Sequence, residues 1–526
     1  MSDEPKAITH PELIVGIAGP IGIDVNTIAD EIDRALHDVG YGSFTIRVTD
    51  EMKNYPASGV TQAGPDYFSS MMYKMDYANK LCADASDPAR LMRIAIQAIS
   101  IIRNINLPEI EGEGDISEEA LIEGHQAVLP ATAYIIRQLK RPSEVALLRR
   151  IYGKQFILVS AYGSEEHRRE RIRESIRDSL PISTPEPDIA KKVEQIIIRD
   201  YDEGDSAHGQ HLRDTFHLAD VFVDGINKDR MKLGLERFFQ AFFGRVDIGP
   251  TKIEYGMYAA KGASLRSTDL SRQVGAAIFS QDGELITQGC NEVPKAFGGT
   301  YWDGEEPDYR DVQLGYDPND HMKKEVMRDL LERLSKAGLL IQDPKQASSD
   351  SFVETLLGRG ENNENPHHGC LQNSYINDLT EYGRVVHAEM VSICDAARLG
   401  KSVKGSILFC TTFPCHNCTK HILASGIRQV IFMEPYPKSK AKQLHKNEIE
   451  IEKTSETRVS FVPFLGISPY RYRDIFEKKS RKSAGKAVTW YRGDPRPLID
   501  VAAPAYLDNE FLEISKLGGS FQPSLF

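Results

Sequence analysis

The sequence predicts an α/β protein with two domains. Three observations carry that expectation. Strand-length apolar runs alternate with helical patterns over the first 230 residues, as they do where helices cover both faces of a parallel sheet. The first run, Leu13-Ile14-Val15-Gly16-Ile17-Ala18, leads into Gly19, Pro20 and Gly22 and then a helical pattern. That order is strand, glycine turn, helix, the opening of an α/β unit. From about residue 273, strands and helices resume around a group of His, Glu and Cys residues.

The elements follow in order. A helix is predicted from about Val25 to Leu36. Ala133-Tyr134-Ile135-Ile136 is a strand before a helix starting at Arg141-Pro142-Ser143-Glu144-Val145. Phe156-Ile157-Leu158-Val159 is a strand before a helix carrying Arg168, Arg169, Arg171 and Arg173. Ala219 to Val223 is a fourth strand. This predicts a first domain over 1–230. Residues 231–250, apolar and aromatic from Leu233 to Phe243, read as a connecting helix, and 251–526 as a second domain. There, Gln273–Phe279 and Glu284–Gly289 form a hairpin around the tight turn Asp282-Gly283. Residues 296–380 are polar and turn-rich, with a helix near 321–337, and read as an insertion. A helix over 385–398, a strand over 406–410, a helix over 415–425 and a strand over 429–432 complete the pattern.

Composition narrows the function classes. The chain has 526 residues, 64 Lys+Arg against 76 Asp+Glu, and net charge −12. Non-specific duplex binding needs a positive field, so this balance argues against it. No apolar run approaches the roughly 20 residues of a membrane span, and the acidic N-terminus lacks the pattern of a signal peptide. The expectation is a cytoplasmic protein without membrane contact. Seven scattered cysteines do not form a disulfide framework. The pair Cys415 and Cys418, spaced C-x-x-C, points to metal or redox chemistry.

The metal reading wins on its neighbours. His387-Ala388-Glu389 precedes Pro414-Cys415-His416-Asn417-Cys418, an H-x-E…P-C-x-x-C arrangement. Two cysteines three apart at a helix start face the same side, and the helix N-terminus favours thiolates. His387 adds a third ligand. Three protein ligands leave a fourth tetrahedral position for water, as a catalytic Zn2+ requires. Glu389, two residues beyond a ligand, is set to move protons. A structural zinc site would need a fourth protein ligand. His416 or Cys410 can be named for that role, but neither explains Glu389.

At these residues the chain resembles the cytidine and deoxycytidylate deaminase superfamily. Thr411-Thr412-Phe413-Pro414-Cys415-His416-Asn417-Cys418, Ser425-Gly426-Ile427 and Ser267-Thr268-Asp269 before Gln273-Val274-Gly275-Ala276 are similar to its deoxycytidylate branch. Gly289-Cys290-Asn291 resembles that branch's Gly-Tyr-Asn, with cysteine in place of tyrosine. The resemblance implies a cytidine deaminase-like αβα domain, with Asn291 a sugar or base contact and Arg266 and Ser267 phosphate contacts. Without it, Asn291 also reads as a hairpin-end turn residue and Arg266 as a solvated charge.

Gly16 to Gly22 resembles the start of a P-loop. Gly19 and Gly22 are then nucleotide-binding positions. The loop lacks its lysine, since Asp24, Val25 and Asn26 stand where G-K-[ST] is needed. The Arg141-Pro142-x-Glu144 helix start and the arginines of 167–173 resemble a nucleoside-monophosphate kinase. This implies a P-loop kinase-like domain that has lost or altered phosphoryl transfer. As a whole the chain resembles the bacterial anti-phage dCTP deaminase family, through Gly209-Gln210-His211-Leu212-Arg213-Asp214-Thr215-Phe216 and Glu434-Pro435-Tyr436-Pro437-Lys438-Ser439 as well. That resemblance implies deamination of deoxycytidine nucleotides, dCTP or dCMP, depleting dCTP in antiviral defence. It also implies a homo-oligomer, with a regulatory nucleotide or small inhibitory RNA as a further partner.

Two alternatives stand beside it. A polynucleotide-editing deaminase should carry a basic, aromatic-lined track. Here Tyr301, Trp302, Tyr309 and Tyr316 lie among Asp303, Glu305, Glu306, Asp308 and Asp311. A nucleotide sensor with the deaminase as its effector is the other. His367, His368 and Cys370 in the insertion read either as a second metal site or as a plain loop.

Overall fold

In a computed structural model of the chain, the described residues are 8–57, 59–60, 64–107, 128–201, 203, 209, 211–340, 349–359, 368–372, 374–379, 381–436, 439–478, 481–488, 490, 495–499, 501 and 504–518. Contacts divide the chain into two units, Met1–Tyr255 with Phe464–Phe526, and Gly256–Pro463.

The first unit is built on a sheet of order β12-β5-β4-β1-β3-β2. Its strands are β1 (Leu13–Ala18), β2 (Gly42–Arg47), β3 (Thr132–Leu139), β4 (Phe156–Tyr162), β5 (Val221–Asp224) and β12 (Gly466–Ile467). β1 to β5 are parallel, and β12 runs antiparallel to β5. Every residue of β1 is buried, as expected of a central parallel strand covered on both faces. Helix α1 (Val25–His37) buries Val25, Ile28, Ala29, Ile32, Ala35 and Leu36, the spacing of one helical face. Around the sheet run α2 (Tyr67–Asp84), α3 (Arg90–Asn106), α4 (Pro142–Tyr152), α5 (Glu165–Ser179), α6 (Glu186–Tyr201) and α7 (Lys228–Phe242).

Two expectations about domain limits differ from this. The segment read as a connecting helix is α7, whose Met231, Leu235, Phe238, Phe239 and Phe242 belong to the first unit's core. Its aromatic density is a buried face, not a linker. The residues after 463, expected in the second domain, return to the first unit. Arg471, 2% exposed, donates to Asp220 Oδ1 at 2.8 Å and to the Lys154 carbonyl at 3.0 Å. Helix α12 (Tyr506–Ser515) brings Glu510 to Arg103, which also binds Glu12. All three side chains are buried, so the C-terminal segment completes a charge cluster inside the first unit.

The second unit has a sheet of order β10-β11-β9-β8-β6-β7. Its strands are β6 (Gly275–Phe279), β7 (Leu285–Cys290), β8 (Ile407–Thr412), β9 (Gln429–Glu434), β10 (Ile449–Ile451) and β11 (Val459–Pro463). β6 is antiparallel to both neighbours, whereas β8, β9, β11 and β10 are parallel. The unit boundary falls within α8 (Lys252–Ser264). Gly275 permits only glycine: a Cβ there would lie 1.9 Å from the Ala260 carbonyl oxygen. The start of β6 therefore rests directly on the α8 backbone. Of the expected insertion, α9 (Pro318–Lys336) and the short helix Asp350–Leu356 form a small core of their own around Met327, Val353 and Leu357. No described helix is long and apolar enough to cross a membrane.

Candidate active site

Two helix starts create the site. His387 is the N-cap of α10 (Ala388–Arg398), and Cys415 the N-cap of α11 (His416–Ser425). Helix α10 is held on the sheet by Ser392, whose carbonyl accepts from Thr287 Oγ1 at 2.9 Å and whose Oγ donates to the Ala276 carbonyl at 3.3 Å. Its entry is fixed by a bridge between Glu292 and Val386. Glu292 is buried, and its carboxylate accepts from Thr268 N at 3.0 Å and Thr268 Oγ1 at 2.8 Å. That carboxylate ties the loop before β6 to the start of α10. The Cys415 Sγ accepts from Cys418 N at 3.4 Å, and Ser439 Oγ holds the Pro414 carbonyl at 2.9 Å.

These anchors bring His387, Cys415 and Cys418 together, with their ligand atoms all within 4.8 Å of one another. His387 Nδ1 lies 3.4 Å from Cys415 Sγ and 3.3 Å from Cys418 Sγ. A tetrahedral zinc with Zn–S near 2.3 Å and Zn–N near 2.0 Å needs an N···S edge of roughly 3.6 Å. The donor set and its spacing fit that ion. The Cys415 thiol is held down to about 4 by a hydrogen bond from Cys418 and by His387, so the thiolate a metal requires is the favoured form. Among the described residues this is the group that can hold a metal. The second candidate group, His367, His368 and Cys370, includes His367, which lies outside the described residues.

Glu389, in the first turn of α10, is 4% exposed. Burial pushes its carboxyl above the ordinary value, the direction that favours holding a proton between transfers. Glu389, His387 and Cys415 line one pocket of about 350 Å³. Asn291, Arg272, Lys440, Tyr375, Tyr436 and His416 line it too. The His416 Nδ1 is buried without a hydrogen-bond partner among the described residues.

The other expected contacts separate. Asn291 reaches the pocket, but its amide is already engaged. Its Oδ1 accepts from Val274 N at 2.7 Å, and its Nδ2 donates to the Arg272 carbonyl at 2.9 Å. Asn291 thus shapes the loop that carries Arg272. Arg266 does not line the pocket. Its guanidinium binds Thr300 Oγ1, lies 3.3 Å from Cys290 Sγ and stacks 4.1 Å from the Trp302 ring. Ser267 is buried outside the pocket and accepts from Asp269 N at 3.3 Å. Among the described residues, the pocket's Lys and Arg cations are instead Arg272, 5.2 Å from the Tyr436 ring, and Lys440, 4.8 Å from the Tyr375 ring. Sequence reasoning missed both. The signal available was Arg272 beside the hairpin and Tyr436 in the segment after β9, but nothing local pairs them.

In the first unit, Gly22 lines a second pocket, of about 400 Å³. Its φ of +94° and the Arg168 backbone 2.9 Å from any added Cβ demand glycine. Gly19 does not line that pocket. A Cβ on it would meet Ile23 Cδ1 at 2.3 Å.

Residues 320–434 match the cytidine and deoxycytidylate deaminase zinc-binding region. The deoxycytidylate deaminase of Enterobacteria phage T2 is 42% identical over 55 residues, 10% of this chain and 29% of the relative. The human deoxycytidylate deaminase is 41% identical over 54 residues, again 10% and 29%. ComE operon protein 2 of Bacillus subtilis is 28% identical over 111 residues, 21% of this chain and 54% of the relative. The match therefore spans under a third of the phage and human enzymes. A solved dCMP deaminase of cyanophage S-TIM5, in complex with dCMP and dUMP, aligns with 41% of this chain and 98% of its own at 17% identity. Its TM-score of 0.21 carries no structural argument. The chain contains a deaminase-type zinc-binding region in its second unit.

Proposed function

We propose that the protein is a zinc-dependent hydrolase converting a deoxycytidine nucleotide and water to the deoxyuridine nucleotide and ammonia. The observation that carries it is the His387, Cys415 and Cys418 group beside buried Glu389 in one pocket. His387, Cys415 and Cys418 would hold the zinc. When bound, that ion supplies the Lewis acidity that makes water nucleophilic near neutral pH. Glu389 takes a proton from the attacking water as the C4–O bond forms. It passes protons to the ring nitrogen and then to the amino group, which leaves as ammonia when the C4–N bond breaks. Arg272 and Lys440 are the proposed phosphate contacts, in place of Arg266 and Ser267. Asn291 orients the Arg272 loop and retains hydrogen-bonding capacity toward the sugar or base.

The finer reading is deamination of dCTP, depleting it in anti-phage defence. It rests on the fusion of this site to an α/β unit with a P-loop-like start. In that unit Asp24 accepts from Asn26 N and Thr27 N and pairs with Arg171 at 3.1 Å. A carboxylate thus sits where a kinase loop would hold phosphate, which supports a kinase-like unit without phosphoryl transfer. Parallel assays of dCTP, dCMP and a cytosine-containing oligonucleotide test the proposal. Turnover of the oligonucleotide alone would place the enzyme among polynucleotide editors. Expression of the active protein should lower cellular dCTP, and abundant C-to-T changes with unchanged dCTP would refute depletion.

A further inference from the structure

The first unit's pocket lies at the C-terminal ends of β1 and β3, where open parallel sheets bind ligands. Among the described residues, five cations line it, Lys74, Arg137, Lys140, Arg141 and Arg171, against three carboxylates, Asp24, Glu144 and Asp200. Lys140 pairs with Asp200 at 2.7 Å, Arg141 with Glu144 at 3.0 Å and Arg171 with Asp24 at 3.1 Å. Every acid is thereby used. Lys74 and Arg137 have no ion pair among the described residues, and the Nε of Arg137 is shut from solvent without a hydrogen-bond partner.

The setting of Arg137 makes the lack of an ion pair costly. It stands directly across from Arg47 in the β2–β3 register, and like charges in facing positions repel. Burial and Arg47 both act against its charge. The next residue, Gln138, has φ +64° and is the extra residue of a bulge between β3 and β1. Such conformations are unfavourable for a residue with a side chain, and bulges of this kind re-aim side chains beside functional sites. Asp24, Asp50 and Asp30 favour the Arg137 charge from a distance, but none of them pairs with it among the described residues, whereas an anion between Arg137 and Lys74 would. The α1 N-terminus is not that seat, because Asp24 already caps it. Ile21, Val25, Met71, Met75 and Tyr67 add apolar wall beside the polar Asn26, Thr49, Gln138 and Ser175, the mixture that encloses a small organic molecule.

We propose that this pocket binds a small phosphate ester with an apolar or heterocyclic body, its phosphate held by Arg137 and Lys74 rather than by the glycine loop. The site is separate from the zinc site and does not depend on the deaminase reading.

The test is calorimetric titration of the full chain with inorganic phosphate, the four 2′-deoxynucleoside monophosphates and their nucleosides. It compares the natural protein with R137Q, K74Q and R272A, the last removing a proposed phosphate contact in the other pocket. At least one monophosphate should bind with a component that survives R272A. That component should weaken roughly 10- to 100-fold in R137Q and weaken also in K74Q, which serves if R137Q does not fold. The corresponding nucleoside should bind far more weakly. Because Arg137 is held against repulsion, R137Q should melt no lower than the natural protein when ligand-free, whereas a structural arginine would lower the melting temperature. No monophosphate component sensitive to R137Q or K74Q overturns the proposal. Inorganic phosphate binding as tightly as every monophosphate overturns the organic body.

Discussion

Replacing Glu389 with glutamine separates proton transfer from every other role of that residue. Gln has the same number of heavy atoms, so it leaves no cavity at a position only 4% exposed. It keeps an acceptor oxygen but cannot take a proton. A positioned acid–base contributes about 10²–10⁴-fold, which at 1.36 kcal/mol per tenfold is roughly 2.7–5.4 kcal/mol of barrier. Glu389 is placed for several transfers in one turnover, so the loss should lie toward the upper end. Zinc should remain, because the ligand atoms of His387, Cys415 and Cys418 gather within 4.8 Å without it. The assay is chromatographic turnover of dCMP and dCTP, run beside metal analysis and a thermal melt on the same preparation. Turnover above a tenth of the natural protein would refute the proton-shuttle role. Loss of zinc together with activity would make Glu389 a ligand and overturn the assignment of roles.

Further outcomes are expected. Cys415→Ala should take zinc from one per chain to a small fraction, and full occupancy in the variant would sink the ligand assignment. Arg272→Ala should raise KM for dCMP by roughly tenfold or more while leaving turnover of unphosphorylated deoxycytidine unchanged; an equal change for both would remove Arg272 from the phosphate. Arg103→Leu leaves Glu12 and Glu510 buried without their cation and should cost about 3–5 kcal/mol in denaturant unfolding of the first unit; a loss below about 1 kcal/mol would contradict the cluster's role. Burial raises the Glu510 carboxyl above its ordinary value. Its folded pKa thus exceeds the unfolded one, and the stability it contributes is present at low pH and lost as pH rises through the folded pKa. The Arg103→Leu deficit should therefore shrink on acidification, and an unchanged deficit would exclude protonation of the freed Glu510 carboxyl. Asp24→Gly with Val25→Lys should raise nucleoside-triphosphate affinity, and robust phosphorylation of a deoxynucleoside monophosphate by the natural protein would overturn the loss of transfer.

The sequence by itself determined what helix and strand geometry encodes locally. Cys415 and Cys418 share a side because they are three apart at a helix start, and Glu389 stands near a ligand because it is two residues from His387. β1, α1, β3, β4 and the β6–β7 hairpin were legible from period and turn chemistry. What only the tertiary structure decided depends on residues far apart in the chain. Arg272 and Lys440 reach one pocket from opposite sides of the zinc-site segment, and Tyr375 joins them from the insertion. Arg266, the cation the family resemblance suggested, is drawn to Thr300 and Trp302 instead. Arg103 needs Glu12 and Glu510 from both ends of the first unit, so no window of sequence reveals that residues after 463 belong there. Asp24 meets Arg171 across 147 positions, and Arg137 is left without an ion pair among the described residues for the same reason. These pairings are non-local, and a sequence shows how many charges there are but not which ones the fold leaves unmatched.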